Sequence, residues 1–351
     1  MRQPVRLMII DDSLVARTAL RRMIDGDDAL EVTALASTAE NALETLRRTR
    51  VDVILLDLDM PGMGGLEALP KIIERARGAR ILVVSALTVD GAEHTLAALS
   101  LGAADTLPKP ESGSLRDGYR EILIGKIREL GRAAAAAEEP APATVLPVRP
   151  ARLSSRATVG ALAIGASTGG IHALASLFAG LPPRLGVPIF VTQHLPCAFM
   201  PAFARQLKIA SGYETLVAEE GLIVERDRIL IAPGDAHLMF ETRSGRLTVR
   251  LDRKPSATGC MPSVDPMFRS LADEIGDRAF GVVLSGMGRD GAQGAARIVA
   301  TGGTVLAQDE ASCAVWGMPR AVAEAGLASA ILPPAEIASR IVASVGAVAC
   351  R

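Results

Sequence analysis

Aromatic side chains are scarce in this chain: Phe, Tyr and Trp together make up 3% of it, with a single Trp. That removes the stacking platforms of single-stranded nucleic-acid binders and the interfacial belts of membrane proteins. Net charge is scarce as well, since 38 Lys and Arg offset 39 Asp and Glu to leave a formal −1. Duplex binding needs a basic stripe, so no nucleic-acid partner is expected. No apolar run reaches the ~18 residues that cross a bilayer. The N-terminus, MRQPVRLMII, runs straight into Asp11 and Asp12 without the cleavage site of a secretory leader. The expectation is a cytoplasmic protein that is not membrane-inserted, and a monomer by default. Cysteine is limited to Cys197, Cys260, Cys313 and Cys350, with no C-x-x-C pair. That spacing speaks against a zinc site or a disulfide framework and for reduced, mostly buried thiols.

What remains is ample apolar material, 49% of 351 residues, enough for two packed domains. Residues 1–130 alternate strand-like and helix-like segments. The strand candidates are Val5–Ile10, Leu30–Ala36, Val51–Leu56, Ala79–Val84 and Ala104–Leu107. Several are continuous apolar runs, as parallel strands covered on both faces require. Helical patterns lie between them, at Ala39–Arg47 and Gly91–Ser100 for example. Residues 131–157 change character: five alanines in a row, then Pro140, Pro142, Pro147 and Pro150. The alanine run extends the preceding helix, and the proline-rich part reads as a tether. A second α/β alternation fills residues 158–351, with strands at Ala161–Ile164, Val187–Thr192, Ala279–Leu284 and Gly303–Ala307.

In parallel α/β sheets the loops at the carboxyl ends of the strands build the site. In the first half those loops carry Asp11 and Asp12, then Asp57 and Asp59, then Ser85, then Lys109 followed by Pro110. Clustered carboxylates repel unless a cation sits among them, and hard oxygen ligands suit Mg²⁺. Asp57 can then act as a nucleophile towards phosphorus, with Ser85 and Lys109 holding phosphoryl oxygens. The plainer reading makes each Asp a strand end or helix cap, and the convergence of all of them on one rim weighs against it.

The segments MIIDDS, LLDLDMPGMGG, VVSALT and LPKP resemble the receiver domain of two-component response regulators. The resemblance implies a phosphoryl group accepted on Asp57 from a histidine kinase. It also implies Mg²⁺ held by Asp12, Asp57 and the backbone at Asp59, with Asp11 in support, and Ser85 and Lys109 sensing the phosphate. One departure stands out. Thr106 occupies the place where receivers usually carry Tyr or Phe, so the outward signal must do without that aromatic switch.

In the second half, Gly165-Ala166-Ser167-Thr168-Gly169-Gly170 follows a strand and opens a helix. G-x-S-x-G is the nucleophile-elbow pattern, which presents a serine hydroxyl at a helix N-terminus suited to an oxyanion. A dinucleotide phosphate turn is the rival, but the second glycine of its fingerprint is missing. Ser167 as a simple helix cap remains open. A serine nucleophile needs a base and an orienting carboxylate. His194 ends a neighbouring strand on the same rim, with His237 as second choice. His172, in the first turn of the helix, is aimed poorly, and His94 reads as a surface residue. Asp290, in the glycine-rich loop Ser285–Gly291, is the carboxylate, with a helix-cap role as its alternative. The Met287 backbone in that loop is a candidate oxyanion donor.

GASTGG, TQHLPCAFMPAFARQL, LIAPGDAHL, SVDPMF, LSGMGRDGA and QDEASCAVWGMP occur in that order. They resemble the effector domain of the chemotaxis protein-glutamate methylesterases, the CheB family, which also carry a receiver and a linker. The resemblance implies a triad of Ser167, His194 and Asp290 with Thr168 beside the nucleophile, and no cofactor for hydrolysis. The implied substrates are γ-methyl esters, and some glutamines, of methylated chemoreceptors. The fold expected is α/β, with two doubly wound parallel-sheet domains: a flavodoxin-like receiver and a Rossmann-like three-layer esterase. The tether holds the two at high effective concentration, so that an unphosphorylated receiver masks the esterase cleft and phosphorylation releases it.

Overall fold

The computed structural model describes residues 3–85, 89–109, 117–138 and 158–346. The expectations for Pro110, for the proline-rich stretch within 139–157 and for Cys350 lie outside these residues. The chain forms two compact units, Met1–Thr144 and Val145–Arg351.

Among its described residues the first unit has five strands: β1 (Val5–Ile10), β2 (Leu30–Ala36), β3 (Val53–Leu56), β4 (Arg80–Ser85) and β5 (Asp105–Pro108). All pair in parallel, in the order β2-β1-β3-β4-β5. Leu7 to Ile10 and Val53 to Leu56 are buried without interruption, as expected of strands covered on both faces. The chain departs from β1 first to one side and later to the other, so the crevice lies beyond the carboxyl ends of β1 and β3. The helix Asp117–Glu138 carries all five alanines of the run, with Leu130 and Ala134 buried.

Among its described residues the second unit has nine strands: β6 (Ala161–Ala166), β7 (Ile189–Gln193), β8 (Glu214–Val217), β9 (Arg228–Ile231), β10 (His237–Arg243), β11 (Arg246–Asp252), β12 (Ala279–Val283), β13 (Thr304–Gln308) and β14 (Ala330–Leu332). Seven of them form one parallel sheet in the order β14-β13-β12-β6-β7-β9-β8. The other two, β10 and β11, form an antiparallel hairpin with His237 opposite Asp252. The sequence reading named no strand at β8, β9, β14 or the hairpin. The hairpin leans on the helix Val264–Ile275, where the Ser270 hydroxyl accepts the Phe240 N–H at 3.1 Å.

β6 also runs further than the sequence reading allowed, to Ala166 instead of Ile164. Gly165 and Ala166 stay in register with Thr192 and Gln193 of β7. A side chain at Gly165 would meet Val264 Cγ1 at 2.4 Å. Here a strand glycine permits a close approach and does not mark a turn.

Candidate active site

Ser167 follows β6, His194 follows β7 and Asp290 lies in the loop after β12. β7 and β12 are the two neighbours of β6, so all three side chains stand at the switch point where open α/β sheets bind ligands. Of the three residues that the sequence singled out, the structure joins His194 and Asp290 directly and sets Ser167 at the end of the neighbouring strand.

The elbow is fixed by its backbone. The Ser167 N–H donates to the Ser285 carbonyl at 3.0 Å, and its own carbonyl accepts Gly170 N–H at 2.8 Å and Gln193 Nε2 at 2.9 Å. Gly169 takes φ +76°, and a Cβ there would stand 2.4 Å from Ala314 Cβ. A left-handed, crowded position of this kind accepts glycine alone. The helix Gly170–Ala179 starts at this point, and its N-terminal dipole favours negative charge beside the serine. Ser167 is half-buried, and its hydroxyl makes no hydrogen bond with any described residue. Thr168 is buried, its carbonyl accepting the Ser285 hydroxyl at 2.7 Å. Met287 is half-buried in the facing loop, behind Gly286, which is pinned by Val315, Gly317 and Met318.

Asp290 is buried and fully engaged. Oδ1 accepts Ser263 Oγ at 2.7 Å and Gly291 N–H at 3.0 Å, while Oδ2 accepts Val264 N–H at 2.7 Å and faces His194 Nε2 at 2.8 Å. Burial alone would raise the Asp290 pKa; the bond and charge of His194, with the Val264 and Ser263 donors, outweigh it and hold the carboxyl below its ordinary value. His194 moves the other way. Burial pulls its pKa down, but the bonded Asp290 carboxylate and the neighbouring Cys260 sulfur push it up to about 9. Neighbouring Asp265 is raised, first by burial and then by the charge of Asp290, against the Gly294 N–H it accepts at 2.7 Å.

The remaining histidines separate cleanly. His237 is buried with both nitrogens occupied: Nδ1 accepts Ser263 N–H at 2.9 Å and Nε2 donates to the Lys254 carbonyl at 2.8 Å. It fixes the loop that supplies Ser263, which rules it out as the base. His172 and His94 are exposed. The sequence reading missed Ser263, Gln193 and Cys260. Gln193 adjoins His194 in the chain, and Ser263 opens SVDPMF, so both lay in segments already noted for other reasons. The cysteine expectation is corrected too. Cys197, Cys260 and Cys313 are free, but only Cys313 is buried; Cys197 is exposed at the start of a short turn, and Cys260 is half-buried beside His194.

In the first unit, oxygens of Asp11, Asp12 and Asp57 lie within 4.8 Å of one another. Asp57 is buried, with Lys109 Nζ donating to its Oδ2 at 2.7 Å and lying 3.0 Å from Asp11 Oδ2. Burial, helped by the charge of Asp11, keeps the Asp57 pKa above its ordinary value although Lys109 opposes this. The Lys109 pKa is raised: burial works against its charge, but its bonds to Asp57 and Asp11 prevail. The Asp59 carboxylate stands apart, exposed, 3.9 Å from His94 Nδ1, while its backbone N–H points at Asp57 Oδ1 at 3.3 Å. The Ser85 hydroxyl is paired with that of buried Thr95 at 2.7 Å. Thr106 is buried and its hydroxyl has no hydrogen-bond partner among the described residues. An oxygen-only set in which the buried Asp11 Oδ2 meets only the Lys109 ammonium, at 3.0 Å, fits a hard divalent cation.

Comparison with known proteins agrees with this geometry. The family model described as CheB methylesterase matches residues 162–341, and that of the response regulator receiver domain matches residues 7–117. A protein-glutamate methylesterase/protein-glutamine glutaminase of Caulobacter vibrioides is 41% identical over 348 residues, covering 98% of this chain and 100% of the relative. A protein of the same description from Paramagnetospirillum magneticum is 39% identical over 359 residues, covering 95% of this chain and 94% of the relative. The crystal structure of the Thermotoga maritima CheB methylesterase catalytic domain superposes with a TM-score of 0.52 at 34% identity, over 53% of this chain and 98% of that one. With the elbow, the histidine and the buried carboxylate in place, and likeness along nearly its whole length, this chain belongs to the CheB methylesterase family and carries a response regulator receiver domain.

Proposed function

We propose that this chain is a phosphorylation-regulated serine hydrolase that removes methyl esters from glutamates of chemotaxis receptors and converts some receptor glutamines to glutamate. The observation that carries the reading is the His194–Asp290 contact at 2.8 Å, with Ser167 at the end of the strand between theirs. A receiver over 1–130, a tether over 131–157 and a catalytic domain over 158–351 belong to the same reading, with the first turns of the tether continuing the helix Asp117–Glu138.

The roles follow from the contacts. Asp290 holds His194 through Nε2, so Nδ1 is the ring nitrogen left to take the Ser167 proton. Ser167 Oγ then bonds to the ester carbonyl carbon, and the electron pair moves to oxygen. Backbone donors beside Thr168 and Met287, with the dipole of the following helix, stabilise that oxyanion. The imidazolium returns its proton to the leaving methoxide, and methanol departs. Water, deprotonated by the same ring, releases the glutamate and restores the serine. An amide follows the same course with ammonia as the leaving group.

In the receiver, Asp57 takes the phosphoryl group from a kinase phosphohistidine as the P–N bond breaks. Lys109 and Ser85 then hold its oxygens, which requires the Ser85 hydroxyl to leave Thr95. Asp11, Asp12 and Asp57, with the Asp59 backbone, would hold Mg²⁺, which supplies positive charge against the transferring phosphoryl group. The test is hydrolysis of a methylated chemoreceptor fragment by the full chain, with and without Mg²⁺ and a small-molecule phosphodonor. Faster methanol release with the donor is expected; no release under either condition refutes the reading.

A further inference from the structure

The steps above give Cys260 no part, yet its thiol lies beside the ring of His194. Ligand atoms of His194, Cys260 and Asp290 all lie within 4.8 Å of one another. Linear cysteine spacing hides this arrangement, because the three residues come from three separate loops. We propose that they form a site for Zn²⁺ or a similarly thiophilic divalent ion, and that occupying it shuts off hydrolysis. The binding stands on this geometry alone; the inhibition rests on the triad reading.

The donor set has the right chemistry. One thiolate, one imidazole and one carboxylate are zinc ligands, and three protein ligands leave a fourth position for water or the Ser167 hydroxyl. Two negative ligands and one neutral one balance a divalent ion, so Asp290 keeps a compensating charge. The thiol proton, and the ring proton where His194 is charged, pass to solvent as the ion binds. Two donors on one tetrahedral zinc stand about 3.4 Å apart, given metal–ligand lengths near 2.0–2.1 Å. His194 Nε2 and Asp290 Oδ2 are 2.8 Å apart, so a small withdrawal of the ring admits the metal. The Cys260 backbone is steadied by Ser256 Oγ donating to its carbonyl at 2.9 Å, which leaves thiol rotation as the main adjustment. A soft sulfur donor selects Zn²⁺ over Mg²⁺, so the ion serving the acidic cluster of the other unit does not compete. A ring engaged by metal cannot accept the serine proton.

The full-length protein, in excess Mg²⁺, is titrated with Zn²⁺ against a chromophoric chelator while ester hydrolysis is followed. One Zn²⁺ that Mg²⁺ does not displace is expected, with hydrolysis lost in step with its binding. Co²⁺ in its place should give a thiolate charge-transfer band. Cys260→Ser, and Cys260→Ala as a second variant, should weaken Zn²⁺ binding by at least about tenfold and move inhibition to correspondingly higher zinc, each compared with its own zinc-free rate. Cys197→Ser should change neither. Ser167→Ala should still bind Zn²⁺ and show the cobalt band. The inference is overturned if the Cys260 variants bind and respond to Zn²⁺ as the parent does, or if Zn²⁺ binds without loss of hydrolysis. Failure of the triad reading looks different: Ser167→Ala would hydrolyse ester like the parent, whatever its zinc binding.

Discussion

His194 Nε2 faces Asp290 Oδ2 at 2.8 Å, and the far side of that carboxylate is closed off by Ser263, Val264 and Gly291. The carboxylate is therefore fixed before any substrate arrives, and the histidine is oriented by a partner that cannot swing away.

The first prediction concerns pH. His194 is pushed up to about 9, so at neutral pH the ring is mostly charged and cannot accept the serine proton. The kcat/KM for ester hydrolysis should rise about tenfold per pH unit and level off near 9. Asp290→Asn should move the inflection to lower pH and cut the plateau by roughly 10³–10⁴-fold, the scale known for the same change in serine protease triads. Stability has the opposite sign: the contribution of a raised histidine is complete below its unfolded value of ~6.5 and is lost as pH climbs through about 9. A pH–rate profile and melting curves over the same range check both.

The second concerns the cage. Asp290→Ala strands the Ser263 hydroxyl and the Val264 and Gly291 N–H groups in a buried pocket. Breaking a buried, hydrogen-bonded charge pair costs about 3–5 kcal/mol. The chain has one tryptophan, Trp316, and it lies in this unit. Its fluorescence in a urea titration reports the loss without interference from the receiver.

Much of this site was legible in the sequence, and the reason is topological. Parallel strands announce themselves as apolar runs, and the residue after each run must sit on the functional rim. Asp11, Asp57 and His194 were singled out by that argument, and Ser167 by the G-x-S-x-G pattern that follows such a run. What it does not reach is the stretch between β11 and the helix Val264–Ile275, which supplies Cys260 and Ser263 from an irregular loop. No periodicity aims those side chains, and only the hairpin and His237 bring the loop to Asp290. His237 itself looked like a base because sequence cannot tell a histidine at a cleft from one holding a loop with both nitrogens.

The third prediction tests the elbow. Gly169→Ala places a methyl 2.4 Å from Ala314 Cβ at φ +76°. The turn must shift to relieve the clash, at a cost of about 1–3 kcal/mol. Displacing the nucleophile by even an ångström should reduce kcat by on the order of 10²-fold. Steady-state kinetics and Trp316 fluorescence separate the two effects.

The fourth concerns the switch. Asp57→Ala should remove base-labile acyl-phosphate incorporation from a small-molecule donor, and with it the rise in hydrolysis, while donor-independent hydrolysis remains measurable. Ser85→Ala should retain incorporation but lose part of the rise, because the hydroxyl shared with Thr95 at 2.7 Å is no longer there to move. Radiolabelled donor and a parallel esterase assay read both.

The central claim is that Ser167 is the nucleophile for glutamate methyl esters. The most direct measurement is methanol release from a methylated chemoreceptor fragment by the phosphorylated full chain and by its Ser167→Ala variant. The account predicts release by the parent and a loss of at least about 10³-fold in the variant; release by Ser167→Ala at the parental rate would contradict it.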